Sequence, residues 1–299
     1  MSKIEYGKLI TEQSNPRTRA IDRISIGKVL NLINNEDKTV PIAVAKTKPQ
    51  IVRGVKLIVD SLQKGGRLFF VGAGTSGRLG VIEAAECPPT FSTPPSLVQA
   101  IMAGGPKAVF RSKEGAEDDF PTGWKIFRKK IRPSDVVVGI AASGVTPFVR
   151  GALQAAKEKH AKTIFLTCSN AIPEKKLTDC VIVVKTGPEV LSGSTRLKAG
   201  TATKLVLNML TVASMIRLGK VYQNWMVDLQ PKSKKLEARA LRLISRLGGV
   251  DSRKAEAYLT KSRKNVKLAI LMAKKNWSYK IAATKLQQAG GFLEKAIHA

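Results

Sequence analysis

The chain has 299 residues, 43% of them hydrophobic and 24% charged, a composition that excludes wholesale disorder. Its three cysteines give neither a disulfide framework nor metal-ligand spacing, which indicates a reducing compartment. The net charge of +29 is unusual, but the basic residues are scattered and aromatic residues make up only 5%. We therefore expect a solvated basic surface rather than a nucleic-acid interface, although an anionic ligand would benefit from the field.

No apolar run approaches the roughly 18 residues that a membrane-spanning helix needs. The first ten residues, MSKIEYGKLI, lack the apolar core of a secretory signal. These features predict a cytoplasmic protein without a membrane segment.

In chain order, residues 1–48 are polar and basic, and their apolar positions have helical spacing. Residues 49–64 predict a helix that ends at Gly65-Gly66. Helical stretches separate most of the short apolar runs that follow, which predicts a parallel sheet covered on both faces. A long apolar helix is predicted over residues 198–219. The predicted strands are 67–71, 97–102, 136–140, 163–167 and 181–185.

The C-terminal part has a shorter pattern. Residues 232–299 contain 17 Lys and Arg against 4 Asp and Glu, and Gly248-Gly249 and Gly290-Gly291 interrupt short helical stretches. The chain is thus predicted to have three parts: a helical segment over 1–48, an α/β domain over 49–231 and a small helical domain over 232–299.

A glycine-rich loop over residues 72–77 (GAGTSG) joins the first predicted strand to a helix. Its spacing is that of a dinucleotide-binding fingerprint, but the next strand ends at Gly104-Gly105 without the acidic residue that would bind a ribose. The loop better suits a phosphate or phosphosugar, because Gly74 leaves backbone N–H groups accessible and Thr75 and Ser76 add hydroxyl donors. A tight turn without a ligand is the alternative.

A second loop follows the third predicted strand over residues 141–147 (AASGVTP). Ser143, Gly144 and Thr146 could direct hydroxyls and amides to the same anion. The alternative is simple helix capping by Thr146 before Pro147. Because ligands of open α/β sheets bind at the carboxyl ends of the strands, the two loops together favour a phosphosugar site.

Carboxylates near the loops could act as a general acid and a general base. Glu86 lies one turn after Glu83 and before Pro88-Pro89, which are expected to end the helix and let Glu86 turn back towards the loops. For any single carboxylate, a solvated surface charge is the alternative. His160 and His298 are expected at the surface and the cysteines in the interior. A second acidic group contains Glu114, Glu117, Asp118 and Asp119.

Several tracts carry a recognisable pattern: residues 71–90 (VGAGTSGRLGVIEAAECPPT), 114–118 (EGAED), 136–147 (VVVGIAASGVTP) and 193–210 (GSTRLKAGTATKLVLNML), to which 10–15 (ITEQSN), 35–41 (NEDKTVP) and 221–228 add. Together they resemble the N-acetylmuramic acid 6-phosphate etherase family over nearly the whole chain. A more distant similarity is to the glucokinase regulatory protein, which shares the sugar isomerase (SIS) domain. The resemblance implies a flavodoxin-like SIS domain, a small C-terminal domain related to ubiquitin-associated folds, a homodimer, and no metal or redox cofactor.

The resemblance implies cleavage of the D-lactyl ether of N-acetylmuramic acid 6-phosphate, in peptidoglycan recycling and amino sugar catabolism. It makes Glu86 the proton donor to the leaving group, with its pKa raised by burial near Pro88-Pro89, and Glu117 the base at C2. Family members commonly carry Arg where Val145 stands. A non-catalytic phosphosugar-binding regulatory protein is the alternative. The residues implied to hold the phosphosugar are Gly74, Thr75, Ser76, Ser143, Gly144 and Thr146.

Overall fold

The computed structural model describes residues 5–231 and 233–299. The predicted starts of the N-terminal segment and of the C-terminal domain, residues 1–4 and Lys232, lie outside the described residues. The chain divides into two compact units. The first runs up to Ala85 and includes Ser96–Thr211, and the second contains Glu86–Pro95 and Val212–Ala299. The predicted three-part division remains a proposal beside these units.

The first unit combines an N-terminal helical region with an α/β sheet. Its strands are β1 (Leu68–Gly72), β2 (Val98–Met102), β3 (Val136–Ile140), β4 (Lys162–Thr167) and β5 (Cys180–Val183). Its helices are α1 (Ile26–Asp37), α2 (Thr39–Ala45), α3 (Lys48–Gln63), α4 (Gly74–Phe91), α5 (Phe120–Lys130), α6 (Pro147–Glu158) and α7 (Lys198–Arg217), of which α4 and α7 continue into the second unit.

The sheet is parallel throughout, with strand order β2-β1-β3-β4-β5. This is the flavodoxin-like order, so the predicted fold class is confirmed. All residues of β1 and β3 are buried, as expected for strands covered on both faces. The register pairs Gly72 with Ile140, so the loops after these neighbouring strands leave the sheet at the same edge.

Apolar side chains fill both faces of the sheet. On one face, Phe69 of β1 meets Phe127 of α5 edge-on, with ring centroids 6.3 Å apart. Phe148 of α6 belongs to the same buried cluster. On the other face, α3 packs against the sheet at Gly54, where a Cβ would lie 3.5 Å from the Ile182 side chain of β5. The sheet is therefore held by packing on both of its faces.

Helix α4 does not end at Pro88-Pro89 as predicted but runs to Phe91. A proline inside a helix removes one backbone hydrogen bond and crowds the preceding turn, but here the helix continues through both prolines. The Ser92 N–H then donates to the Pro88 carbonyl at 3.0 Å, and Ser92 has a φ of +52°. The helix stops at this left-handed residue rather than at the prolines.

The second unit is mainly helical, which confirms the predicted small helical fold. Ser233 caps the N-terminus of its first full helix, and Gly249 ends that helix with a φ of +71°, as the Gly248-Gly249 pair predicts. Buried Leu243, Ile270 and Leu293 belong to its apolar core. Its elements are β6 (Val221–Tyr222), β7 (Trp225–Met226), α8 (Lys234–Gly248), α9 (Ser252–Lys261), α10 (Val266–Lys275), α11 (Tyr279–Gln288) and α12 (Leu293–His298).

The expectation that no apolar run is long enough to span a membrane is wrong for one helix of the described residues: α7 is long and apolar enough, with a mean hydropathy of 1.3 over its most apolar stretch. More than half of that stretch, 56%, is buried inside the protein. Length and composition alone are weak grounds for a membrane span, because the core helix of a soluble protein has the same features.

Candidate active site

The first glycine-rich loop forms a tight connection between β1 and α4. A Cβ at Gly72 would lie 2.7 Å from the Gly77 nitrogen, and a Cβ at Gly77 would lie 2.8 Å from the Gly72 oxygen. Gly74 differs, because its φ is +51° and nothing lies within 4 Å of the place where a Cβ would be. The N-terminus of α4 therefore has an open backbone face that an anion can approach.

The first turn of α7 borders this loop. A Cβ at Gly200 would lie 3.6 Å from the Thr75 methyl group. The start of α7 is itself fixed by buried Glu189, whose carboxylate accepts hydrogen bonds from the backbone N–H groups of Lys198 and Ala199, both at 2.9 Å. In the sequence, this tract is marked only by the family resemblance, and nothing there indicates its position beside the loop.

The second loop leaves its hydroxyl groups uncommitted to the helix. Thr146 is the N-cap residue of α6 and Pro147 follows it, but the Thr146 side chain makes no capping hydrogen bond. The capping alternative therefore does not account for the hydroxyl. Gly144 has a φ of +83°, and a Cβ there would lie 1.9 Å from the Ala171 oxygen, so only glycine fits. Val145, the residue between Gly144 and Thr146, is 6% exposed, so its apolar side chain is buried.

Glu117 lines a cavity of about 120 Å³ together with Gly74 and Arg78. A neighbouring cavity of about 510 Å³ shares Lys113 and Glu114 with it. The structure therefore brings one predicted catalytic residue together with the first glycine-rich loop. Of the predicted phosphosugar ligands, only Gly74 lines this cavity.

Arg78 holds the segment that follows β2 against α4. Its Nε donates to the Val109 carbonyl at 2.8 Å, and its Nη2 donates to the Ala108 carbonyl at 2.9 Å. No local pattern in the sequence marks this role of Arg78, because its carbonyl partners lie about thirty residues away.

The pKa of Glu117 is raised by partial burial and, to a lesser extent, by the negative charges of Asp118 and Glu114. A raised pKa makes this carboxylate a better proton acceptor than an ordinary surface glutamate. Asp119 has a different function, because its side chain accepts the Thr122 N–H at 2.9 Å and caps α5. That bond lowers the pKa of Asp119.

Glu83 is a structural carboxylate. It is 5% exposed and accepts hydrogen bonds from the Thr211 hydroxyl at 2.7 Å and from the Lys204 ammonium group. These bonds join α4 to α7. We conclude that Glu83 is committed to packing and not to proton transfer.

Glu86 is exposed, so the burial expected beside Pro88-Pro89 is absent from the single chain and that expectation is wrong. Because α4 continues to Phe91, Glu86 does not turn back through a helix end as expected. The convergence of Glu86 and Glu117 on one sugar stays a prediction.

The remaining titratable residues match their predicted environments. His160 and His298 are exposed, and all three cysteines are buried. Burial raises the pKa of Cys168 to about 12, which makes it a poor nucleophile. Within residues 5–231 and 233–299, no group of three or more His, Cys, Asp and Glu side chains could hold a metal ion.

Comparisons with known proteins agree with this architecture. Residues 50–157 match the family model of the glucokinase regulatory protein N-terminal SIS domain, and residues 127–213 match the SIS domain model. The phosphoheptose isomerase from Neisseria gonorrhoeae superposes with a TM-score of 0.50 at 18% identity, covering 64% of this chain and 98% of that chain. This similarity concerns the fold alone.

Curated relatives are similar over nearly the full length. The N-acetylmuramic acid 6-phosphate etherase from Mesorhizobium japonicum is 51% identical over 294 residues, which cover 98% of this chain and 96% of the relative. The etherase from Geobacillus thermodenitrificans is 47% identical over 290 residues, covering 97% of this chain and 98% of the relative. The chain therefore belongs to the N-acetylmuramic acid 6-phosphate etherase family.

Proposed function

We propose that this protein is a carbon–oxygen lyase that cleaves the D-lactyl ether of N-acetylmuramic acid 6-phosphate and yields N-acetylglucosamine 6-phosphate and D-lactate. The observation that carries the proposal is the cavity shared by Glu117 and Gly74 in a chain of this family. The reaction belongs to cytoplasmic recycling of peptidoglycan sugars.

Glu117 is the proposed base. Opening of the sugar ring exposes an aldehyde at C1, which makes the proton at C2 acidic. The Glu117 carboxylate removes this proton, and its raised pKa favours the transfer. Lys113 lines the same cavity and adds positive charge near the enolate oxygen that forms at C1.

Glu86 is the proposed acid. It protonates the ether oxygen while the bond between C3 and that oxygen breaks, so D-lactate leaves and a double bond forms between C2 and C3. Water then adds at C3, and a proton returns to C2. General acid or base catalysis by a positioned side chain contributes about 10²–10⁴-fold to the rate.

The loops at the carboxyl edge of the sheet are the proposed phosphate anchor. The backbone N–H groups at the start of α4 and α6 face this edge, where helix N-termini favour anions. The hydroxyls of Thr75, Ser76, Ser143 and Thr146, with the amides of Gly74 and Gly144, would hold the phosphosugar. Anchoring one end of the substrate orients its C2 and C3 atoms for the chemistry.

We further propose a homodimer whose sites use residues of both copies. Ile26 and Leu30 lie one turn apart on α1 and are 80% and 60% exposed, and Ile42 of α2 is 61% exposed. Such an apolar surface favours contact with a second copy. Glu86 is exposed in the single chain, so the acid is assigned to the other copy.

D-lactate release tests the activity. The wild-type protein should release D-lactate from the phosphorylated substrate, and Glu117→Gln should lower the rate by about 10²–10⁴-fold. Glu114→Gln is the matched control, because Glu114 lines the same cavity but has no assigned proton transfer. The proposal fails if the wild type releases no D-lactate or if the two variants are equally active.

Mixing two inactive variants tests the shared site. Glu86→Gln and Glu117→Gln, unfolded and refolded together in equal amounts, should regain about a quarter of wild-type activity, since half of the dimers carry one intact site. No recovery from a mixture shown to contain heterodimers would assign both carboxylates to one copy.

The alternative is a non-catalytic phosphosugar-binding regulatory protein. The match of residues 50–157 to the glucokinase regulatory protein model favours it. Binding of sugar phosphates without release of D-lactate would support this alternative.

A further inference from the structure

The second unit contains a cavity of about 430 Å³ that the proposed etherase activity does not use. Gln223, Asn224 and Trp225 line it from the turn between β6 and β7, while Arg246 of α8 and Lys274 of α10 line it from the helices. Its lining shares no residue with the cavity that contains Glu117. The volume lies within the range of small-molecule sites.

The cavity carries positive charge without a counter-ion. The Arg246 guanidinium lies over the Trp225 ring, 5.0 Å from its centroid. A guanidinium held over an aromatic ring keeps N–H donors available for oxygen acceptors. No Asp or Glu lines the cavity, and among the described residues neither Arg246 nor Lys274 forms an ion pair with a carboxylate.

The turn also places amide groups at the cavity. Tyr222 pairs with Trp225, so Gln223 and Asn224 form a two-residue hairpin turn. Gln223 has a φ of +53°, a conformation that favours glycine at this place in a hairpin. The chain therefore has a side-chain amide at a position where glycine would be less strained.

We propose that this cavity binds a small organic phosphomonoester. Its phosphate lies between Arg246 and Lys274, where charge-assisted hydrogen bonds are strong. Its organic part lies against Trp225, and the Gln223 and Asn224 amides bind its hydroxyl or carbonyl groups. The site is independent of the proposed etherase activity.

Fluorescence of Trp225 gives a local test in the full chain. Phe replaces Trp124 and Trp277, so that Trp225 is the only remaining tryptophan of the three. The probes are glucose 6-phosphate, AMP and inorganic phosphate. Glucose 6-phosphate or AMP should change the fluorescence saturably, and the one that binds more tightly identifies the organic part as a sugar or a nucleoside.

Charge variants show whether the named residues hold the phosphate. Lys274→Gln and Arg246→Gln should each weaken binding by about tenfold or more. Lys280→Gln is the matched control, because Lys280 is exposed on α11 and does not line the cavity. Gln223→Gly should weaken binding without lowering the melting temperature, since it removes both the amide and the strained conformation.

Four outcomes overturn the proposal. The first is no saturable change below about 1 mM of either organic probe, which is weak even for a small ligand. The second is equal affinity for inorganic phosphate, which would leave the organic part without a role. The third is unchanged affinity of both charge variants. The fourth is a response only to a duplex oligonucleotide, used as an additional probe, which would indicate a general polyanion surface in place of this site.

Discussion

Replacement of Glu36 by Gln tests the buried ion network between the N-terminal helices and α7. Glu36 of α1 is 3% exposed, and Lys198 at the start of α7 is 1% exposed. The Lys198 ammonium group donates to the Glu36 carboxylate at 2.7 Å, and Arg17 Nη2 donates to it at 2.9 Å. This network fixes the beginning of α7, which lies beside the first glycine-rich loop.

The magnitude follows from the charge environment of Glu36. The hydrogen bond from Arg17, joined by the charge and hydrogen bond of Lys198, lowers the pKa of Glu36 from 4.5 to about 2 despite its burial. At about 1.4 kcal/mol per pKa unit, the lowered pKa of Glu36 corresponds to about 3 kcal/mol of folding free energy. Glu36→Gln also leaves Lys198 buried without its partner, for which about 3–5 kcal/mol is typical. We expect a loss of about 3 kcal/mol and a fall in Tm of about 6–12 °C.

Urea unfolding at several pH values measures this effect. Because the pKa of Glu36 is lowered in the folded state, its stabilisation is complete above about pH 4.5 and is lost as the pH falls towards 2. The difference between wild type and variant should therefore shrink below pH 4.5. Asp22→Asn is the control, since Asp22 is exposed in the same segment. A difference below about 1 kcal/mol at pH 7, typical of exposed pairs, would refute the reasoning.

Two further predictions concern the acidic group around Glu117 and the second loop. Asp118→Asn removes a charge that raises the pKa of Glu117, so the acidic limb of the pH–rate profile should move to lower pH, and an unmoved limb would exclude Glu117 as the base. Gly144→Ala should lower the melting temperature and phosphosugar affinity more than Gly105→Ala, because both positions have positive φ but only Gly144 would clash, with the Ala171 oxygen. Equal effects of the two alanine substitutions would contradict the proposed fit.

The sheet and its two loops could be predicted from the sequence because their determinants are local. Buried apolar runs such as β3 are bounded by turn residues, and the helical stretches between them predict parallel strands. The Gly72 to Gly77 spacing likewise predicts a tight strand-to-helix turn, which the structure confirms. These features depend on neighbouring residues and on the period of burial.

Other features depend on contacts distant in sequence and could not be predicted in the same way. Glu83 reads as a candidate acid, but its partners Thr211 and Lys204 lie more than a hundred residues away. The prolines predict an end of α4 at residues 88 and 89, whereas the helix ends at the left-handed Ser92. Proline alone therefore did not determine the environment of Glu86.

Hydrogen exchange at C2 of the sugar tests the central claim that Glu117 removes that proton. In deuterated water, the wild-type protein should give N-acetylglucosamine 6-phosphate with deuterium at C2, detected by NMR or mass spectrometry. Glu117→Gln should lose both this incorporation and D-lactate release by about 10²–10⁴-fold. Product that retains its original C2 hydrogen, or incorporation at the wild-type rate by Glu117→Gln, would contradict the account.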